Sequence, residues 1–270
     1  MKSWKLFCGA GLVALLSGCA SDLVSPPYED HPSLKVADMA RARGDLPQAI
    51  HDYRDIIKDC PNCERAYLGL GISLLDANVV PEAKLAFEKA IALFPKSAGA
   101  HAGLGLVYLV MDLPEDAIQS FNRALALDSR YVKALNGYGV ALDMLGDHEA
   151  AQINYRAAME LDPTNLSYES NLALSMALAG NEIEAIRILE KLVLNPNATP
   201  RIRQNLALAY GLAGDMKMAK RIGREDLSND MVINNVGYLE AIQKVKEFGG
   251  LIPKNHTVPL DETRMWQKGN

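Results

Sequence analysis

The chain is short of aromatic residues, of positive charge, of cysteine and of long apolar runs, and each shortage removes a class of protein. Aromatics make up only 6% of the 270 residues, while Ala and Leu are abundant, a balance that favours helix packed on helix over sheet. Against 33 Asp and Glu stand 28 Lys and Arg, a net charge of -5, with no basic stripe. Phosphate neutralisation needs clustered cations, so nucleic acid is excluded as a partner. Among the 4 cysteines there is no second pair to complete a zinc site around Cys60 and Cys63, and no βαβ pattern to make them a thioredoxin-like centre. Missing too are a Gly-rich phosphate loop after a strand and a Gly-x-Ser-x-Gly elbow. The histidines, at 31, 51, 101, 148 and 256, lack metal spacing, and His101 is expected as a packing residue. Carboxylates are expected on outer faces and turns. These absences predict a chain with no catalytic residue, cofactor, metal or small-molecule substrate.

The N-terminus reads differently from the rest. Lys2 and Lys5 precede the apolar run Leu6 to Leu16, too short to span a bilayer and suited to the core of a secretory signal over residues 1–18. Leu16-Ser17-Gly18-Cys19 follows, and it resembles the lipobox of bacterial lipoproteins. That resemblance implies lipidation of Cys19, and Ala20 in place of Asp implies an outer-membrane anchor facing the periplasm. The alternative is an ordinary signal cut between Ala10 and Ala20, with Cys19 incidental. Residues 19–31, with Pro26-Pro27, form a tether reaching at most roughly 40 Å. In an oxidising compartment Cys60-Pro61-Asn62-Cys63 reads as a short-loop disulfide or as two idle thiols.

What the chain has in plenty is periodicity. Gly44, Asn78, Asp112, Gly146, Gly180 and Gly214 recur every 34 residues, and all tolerate a left-handed backbone. Five residues after each stands an alanine: Ala49, Ala83, Ala117, Ala151, Ala185 and Ala219. Tyr67, Leu70, Gly71, Leu74, Ala83, Phe87, Ala90 and Pro95 resemble the tetratricopeptide pattern, and the same slots recur in phase along the array. The reading is steric. Gly71, Gly105 and Gly139 admit a close second helix, Phe87, Phe121 and Tyr155 fill the gap between pairs, and Pro95 and Pro163 stop helices. The expected fold is all-α: a solenoid of about five to six helix-turn-helix repeats over residues 32–228. A capping helix is expected over 229–248 and a flexible tail over 249–270.

In such a stack the first helix of each pair lines the concave face. Leu68, Ile72, Leu106 and Leu109 make the N-terminal half of that groove apolar. Lys133, Asn136, Asn171, Arg201 and Asn205 give the C-terminal half amides and cations, a lining that suits an extended or helical peptide. Asn171 and Asn205, 34 residues apart, would present a repeating pair of hydrogen-bonding groups.

The segment from Arg201 to Gly214, then Ala219, Asp226-Leu227-Ser228 and Asn234 to Leu239, together with the lipobox, resembles the TadD family of tetratricopeptide lipoproteins of the tight-adherence (Tad or Flp) pilus machinery. The resemblance implies a pilotin-like factor at the outer membrane whose partner is the secretin or another pilus-assembly protein, with no catalytic residue to carry over. Two further readings stand beside it: a scaffold for envelope enzymes such as peptidoglycan hydrolases, using the same groove, and a redox protein built on Cys60 and Cys63.

Overall fold

Six left-handed residues divide the chain. Gly44, Asn78, Asp112, Gly146, Gly180 and Gly214 all have φ between 59° and 92°. Each ends one helix and starts a tight turn into the next. A computed structural model describes residues 32–247. Its first helices of each pair are α1 (Pro32–Ala42), α3 (Glu64–Asp76), α5 (Ala98–Val110), α7 (Val132–Met144), α9 (Leu166–Leu178) and α11 (Pro200–Leu212). Their partners are α2 (Leu46–Asp59), α4 (Val80–Leu93), α6 (Pro114–Leu127), α8 (His148–Leu161), α10 (Glu182–Val193) and α12 (Met216–Gly223). A last helix, α13 (Asn229–Glu247), follows, and no strand occurs among the described residues. Residues 1–31 and 248–270, with the signal, the tether, Cys19 and the tail, lie outside the described residues.

The turn chemistry explains the starts. At three turns Gly is followed by Asp, and that Asp caps the next helix. Backbone N–H groups of Gln48, Ala150 and Met218 donate to Asp45, Asp147 and Asp215 at 3.3, 3.2 and 3.0 Å. Where Asn78 and Asp112 take the left-handed position, the following residue gives no side-chain cap, and a proline in the first turn helps instead. The second helices α4 and α8 end two residues before Pro95 and Pro163.

Neighbouring pairs lock through one aromatic each. Phe87, Phe121 and Tyr155 are at most 1% exposed. A Cβ on Gly71 would come within 2.6 Å of Phe87, which is why the close-packing slot is glycine. The ring also touches the next repeat. A Cβ on Gly103 would lie 2.1 Å from Phe87, and one on Gly137 would lie 2.3 Å from Phe121. Each ring is therefore sandwiched between its own pair and the next. In the fifth pair, where the aromatic gives way to Leu189, that leucine is still fully buried.

Candidate functional site

Successive odd-numbered helices touch one another along the array, α1 to α3, α3 to α5 and onward to α13. The even-numbered helices do not pack on one another to any comparable extent. A stack whose one layer is tight and whose other layer is spread must curve, with the tight layer inside. The odd helices thus line a concave face, and the candidate groove residues lie on them.

The structure brings these residues together in a way that changes their roles. Asn171 Nδ2 donates to Asn136 Oδ1 at 2.8 Å, joining α9 to α7. Asn205 Nδ2 donates to Ser170 Oγ at 3.0 Å, joining α11 to α9. Asn205 is only 9% exposed, so it does not offer its amide to a ligand as the 34-residue spacing suggested. The physical reason is satisfaction: a buried amide takes the nearest partner, and the next repeat supplies one. Asn136 and Asn171 are half-buried and keep donor or acceptor capacity beyond their mutual bond.

Two cations of the groove are differently placed from the third. Arg65, at the corresponding slot of α3, pairs with Asp38 Oδ2 of α1 at 2.9 Å. Lys133 and Arg201 are exposed and have no ion pair or hydrogen bond among the described residues. Arg201 is open to solvent yet crowded by protein, as a concave position requires, and that burial lowers its guanidinium pKa from the ordinary value. An unpaired, partly desolvated cation in an acidic chain favours an anionic group brought by something else.

Tyr131 is a groove residue that the repeat pattern does not single out. It occupies the N-cap slot of α7, which Cys63, Ser97, Asn165 and Thr199 fill in the other repeats. Its hydroxyl reaches back over α5, 3.2 Å from where a Gly99 Cβ would sit. Burial raises its pKa first, with Asp128 and Glu64 adding to it. The available signal is an aromatic where its equivalents are small.

Outside the groove, one carboxylate departs from the expected outer faces. Asp143, near the end of α7, has a side chain only 13% exposed. Tyr155 OH donates to its Oδ2 at 2.8 Å, Ser175 Oγ donates to its Oδ1 at 2.6 Å, and His148 Nδ1 lies 2.8 Å from Oδ1. Burial raises the Asp143 pKa, and the three hydrogen bonds pull the other way. Aspartate, histidine and serine meet here, but the serine hydroxyl is turned to the carboxylate and to the His148 carbonyl oxygen, 3.3 Å away, and not to an imidazole nitrogen. A serine without a base is no nucleophile. The cluster staples α7, α8 and α9.

The remaining candidates are packing groups. Cys60 and Cys63 close α2 and open α3, are 5% and 3% exposed, and are not joined as a disulfide. Burial raises the Cys63 thiol pKa, the reverse of what thiol exchange needs. His101 is half-buried, its Nε2 3.3 Å from the Pro95 carbonyl oxygen. Among the described residues no cluster of ligating side chains could hold a metal, and no helix is long and apolar enough to cross a membrane.

This geometry defines a helical-hairpin solenoid with a concave face lined by the odd-numbered helices. Residues 34–98, 68–129 and 103–165 each match the tetratricopeptide repeat family, so the chain carries tetratricopeptide repeats. No curated protein matches the chain. Solved structures share the fold. A thermophilic tetratricopeptide-repeat protein of Thermus thermophilus is 20% identical over 66% of this chain and 97% of its own, with a TM-score of 0.60. A tetratricopeptide repeat protein from Parabacteroides merdae is 16% identical over 89% of this chain and 100% of its own, TM-score 0.58. The pilF protein of Pseudomonas aeruginosa is 24% identical over 76% of this chain and 97% of its own, TM-score 0.51. A tetratricopeptide fold is one for protein–protein interaction, and the partner sought for this groove is a protein.

Proposed function

We propose that the chain is a non-catalytic, lipid-anchored adaptor of the outer membrane that holds a secretin or another tight-adherence pilus component in its concave groove. The observation that carries the groove reading is the pair of exposed cations, Lys133 and Arg201, set on either side of the bonded Asn136 and Asn171. Neither is in an ion pair among the described residues, though Lys133 lies close enough to Asp76 to pull against the rise that burial gives its pKa. The cations would take carboxylates of the bound segment, and the amides would take its backbone. The lipobox ending at Cys19 supports the anchor, which would raise the local concentration of groove and partner at one membrane. The likeness of residues 201–239 to the TadD family supports the choice of pilus machinery.

The test is a pull-down from detergent-solubilised outer membrane with the full chain, beside Lys133→Glu with Arg201→Glu. The reading expects a secretin or pilus protein with the wild-type chain and at least a tenfold loss with the variant, because both sites become repulsive. Recovery of peptidoglycan hydrolases would replace the pilus partner by the envelope-enzyme scaffold. Equal recovery by variant and wild type, with unchanged helical content, would remove the groove as the binding face. Cys19→Ala is expected to release the chain from the outer membrane fraction.

A further inference from the structure

The two ends of the array differ in charge as well as in shape. At the first repeat a groove of about 380 Å³ opens between α1 and α2, and a second adjoins it, sharing Val36 and Asp52. Val36 and Met39 are 59% and 53% exposed on it, apolar surface left open among the described residues. Asp52, Asp55 and Asp59 stand along α2 at i, i+3 and i+7, on one face, and Asp45 adds a fourth carboxylate against the single guanidinium of Arg43. Asp55 is partly answered by Lys58 at 2.7 Å and His51 at 3.3 Å. Asp52 Oδ1 accepts from Gln48, but its Oδ2 is buried and has no donor among the described residues. A buried carboxylate oxygen without a donor is a cost that an incoming cation would remove.

At the last repeat the signs reverse. The short helix α12 reads MKMAKRIG and contains no acid. Lys217, Arg221 and Arg224 fall at i, i+4 and i+7, a single stripe, exposed and without an ion pair among the described residues. Lys220 is turned aside to Glu240 at 3.6 Å, and Arg203 is held by Asp226. On α13, which packs on α12, Ile233 is 63% exposed. Acidic and basic stripes each run two helical turns, about 10 Å, so their charges match in span as well as in sign.

We propose that the ends bind one another between two copies of this chain, the acidic groove of α1 and α2 in one molecule receiving the basic stripe of α12 in the next. Val36 and Met39 lose water against the apolar side of that second copy, where Ile233 stands. The contact is head-to-tail, so it leaves one acidic and one basic end open and grows into rings or filaments, not a closed two-fold dimer. It is separate from the concave groove and leaves that face free.

Sedimentation velocity of the full chain in detergent, from low to high micromolar, tests this. The weight-average mass is expected to rise with concentration and to fall back toward the monomer in about 0.5 M salt, where exposed charges are screened. Asp55→Lys with Asp59→Lys makes both ends basic, and Arg221→Glu with Arg224→Glu makes both ends acidic. Each variant alone is expected to stay monomeric, and an equimolar mixture is expected to associate again, since each supplies the sign the other lacks. Monomeric wild-type chain at every concentration overturns the proposal. So does association that survives both variants, or a mixture that fails to re-form complexes. Wild-type chain that stays monomeric but sediments with anionic vesicles assigns α12 to a membrane surface instead. The salt dependence needs no substitution, so a variant that misfolds does not decide the outcome.

Discussion

Gly103→Ala sets helix propensity directly against packing, and the structure says which wins. Alanine favours the helix interior by roughly 1 kcal/mol over glycine. The new Cβ would stand 2.1 Å from Phe87 Cε1, 2.4 Å from Cδ1 and 2.5 Å from Cζ. Carbon atoms rest at about 3.5–4.0 Å, so the ring or the helix must give by more than about 1 Å. The ring has nowhere to go: it is 0% exposed, and on its other side Gly71 leaves space for no Cβ, 2.6 Å away. Overpacking of this kind costs about 1–3 kcal/mol, and more where relief is blocked on both sides. The expected net effect is a loss of roughly 1–2 kcal/mol, most of it felt where α5 meets α4. Gly237→Ala is the matched control. It too is helical, in α13, but nothing lies within 4 Å of its Cβ position, so it should stabilise by about 0.5–1 kcal/mol. Urea denaturation followed by far-UV circular dichroism reads both as shifts of midpoint at constant slope. Adding Phe87→Leu to Gly103→Ala should cost less than the two changes separately, because the smaller side chain frees the space. Gly103→Ala as stable as the wild type, or more so, would refute the sandwich account of the inter-repeat contact.

Three further outcomes follow from the same structure. Asp143→Ala strands the hydroxyl of Tyr155, which is 1% exposed, leaves Ser175 only its longer contact with the His148 carbonyl oxygen, and should cost roughly 1–3 kcal/mol in urea melts; Asp143→Asn, which keeps an acceptor, should cost less. Alkaline stability should decline because buried phenols hold their protons. Burial, then Asp38, lifts Tyr53 from 10.0 to about 12; the Glu190 hydrogen bond, then burial, lifts Tyr210 to about 12; burial raises Tyr155 well above its ordinary value. The native state binds these protons more tightly than the unfolded state. Their contribution is therefore complete below about pH 10 and is lost as pH rises toward about 12 and beyond. A Tm that stays flat over that range, or a slope that Tyr155→Phe leaves unchanged, would contradict the sign. Finally, Asn78 sits at φ 59°, so Asn78→Ala should lose about 1 kcal/mol while Asn78→Gly holds or gains stability in the same melts.

Much of the fold was legible because its determinants are local and repeat. The residues at 44, 78, 112, 146, 180 and 214 are left-handed, as their types and spacing implied, and the alanines five residues on are at most 2% exposed. The site was less legible. Asn171 and Asn205 look equivalent 34 residues apart, but their neighbours at 136 and 170 differ, and Asn205 ends up buried against Ser170. Asp143, His148, Tyr155 and Ser175 are spread over 32 residues and three helices, and nothing in the period predicts that they converge. Gly69, Gly103 and Gly137 also recur every 34 residues, but the period does not say that they form the far wall of each aromatic slot, because the ring belongs to the preceding repeat.

The amino-acid order alone settles the helical hairpins, their number of residues and the direction of each turn, since left-handed positions, caps and small residues act within a few bonds of where they stand. The proposed anchor at Cys19 rests on the amino-acid order alone. Which polar groups remain open is another matter. Arg65 is held in an ion pair while Lys133 and Arg201 are not, and Asn205 is buried by its bond while Asn171, though bonded to Asn136, stays only half-buried, because each depends on what the neighbouring repeat places against it. Pairing across helices is a property of distance in space, and a repeating sequence fixes that distance only after the repeats have stacked.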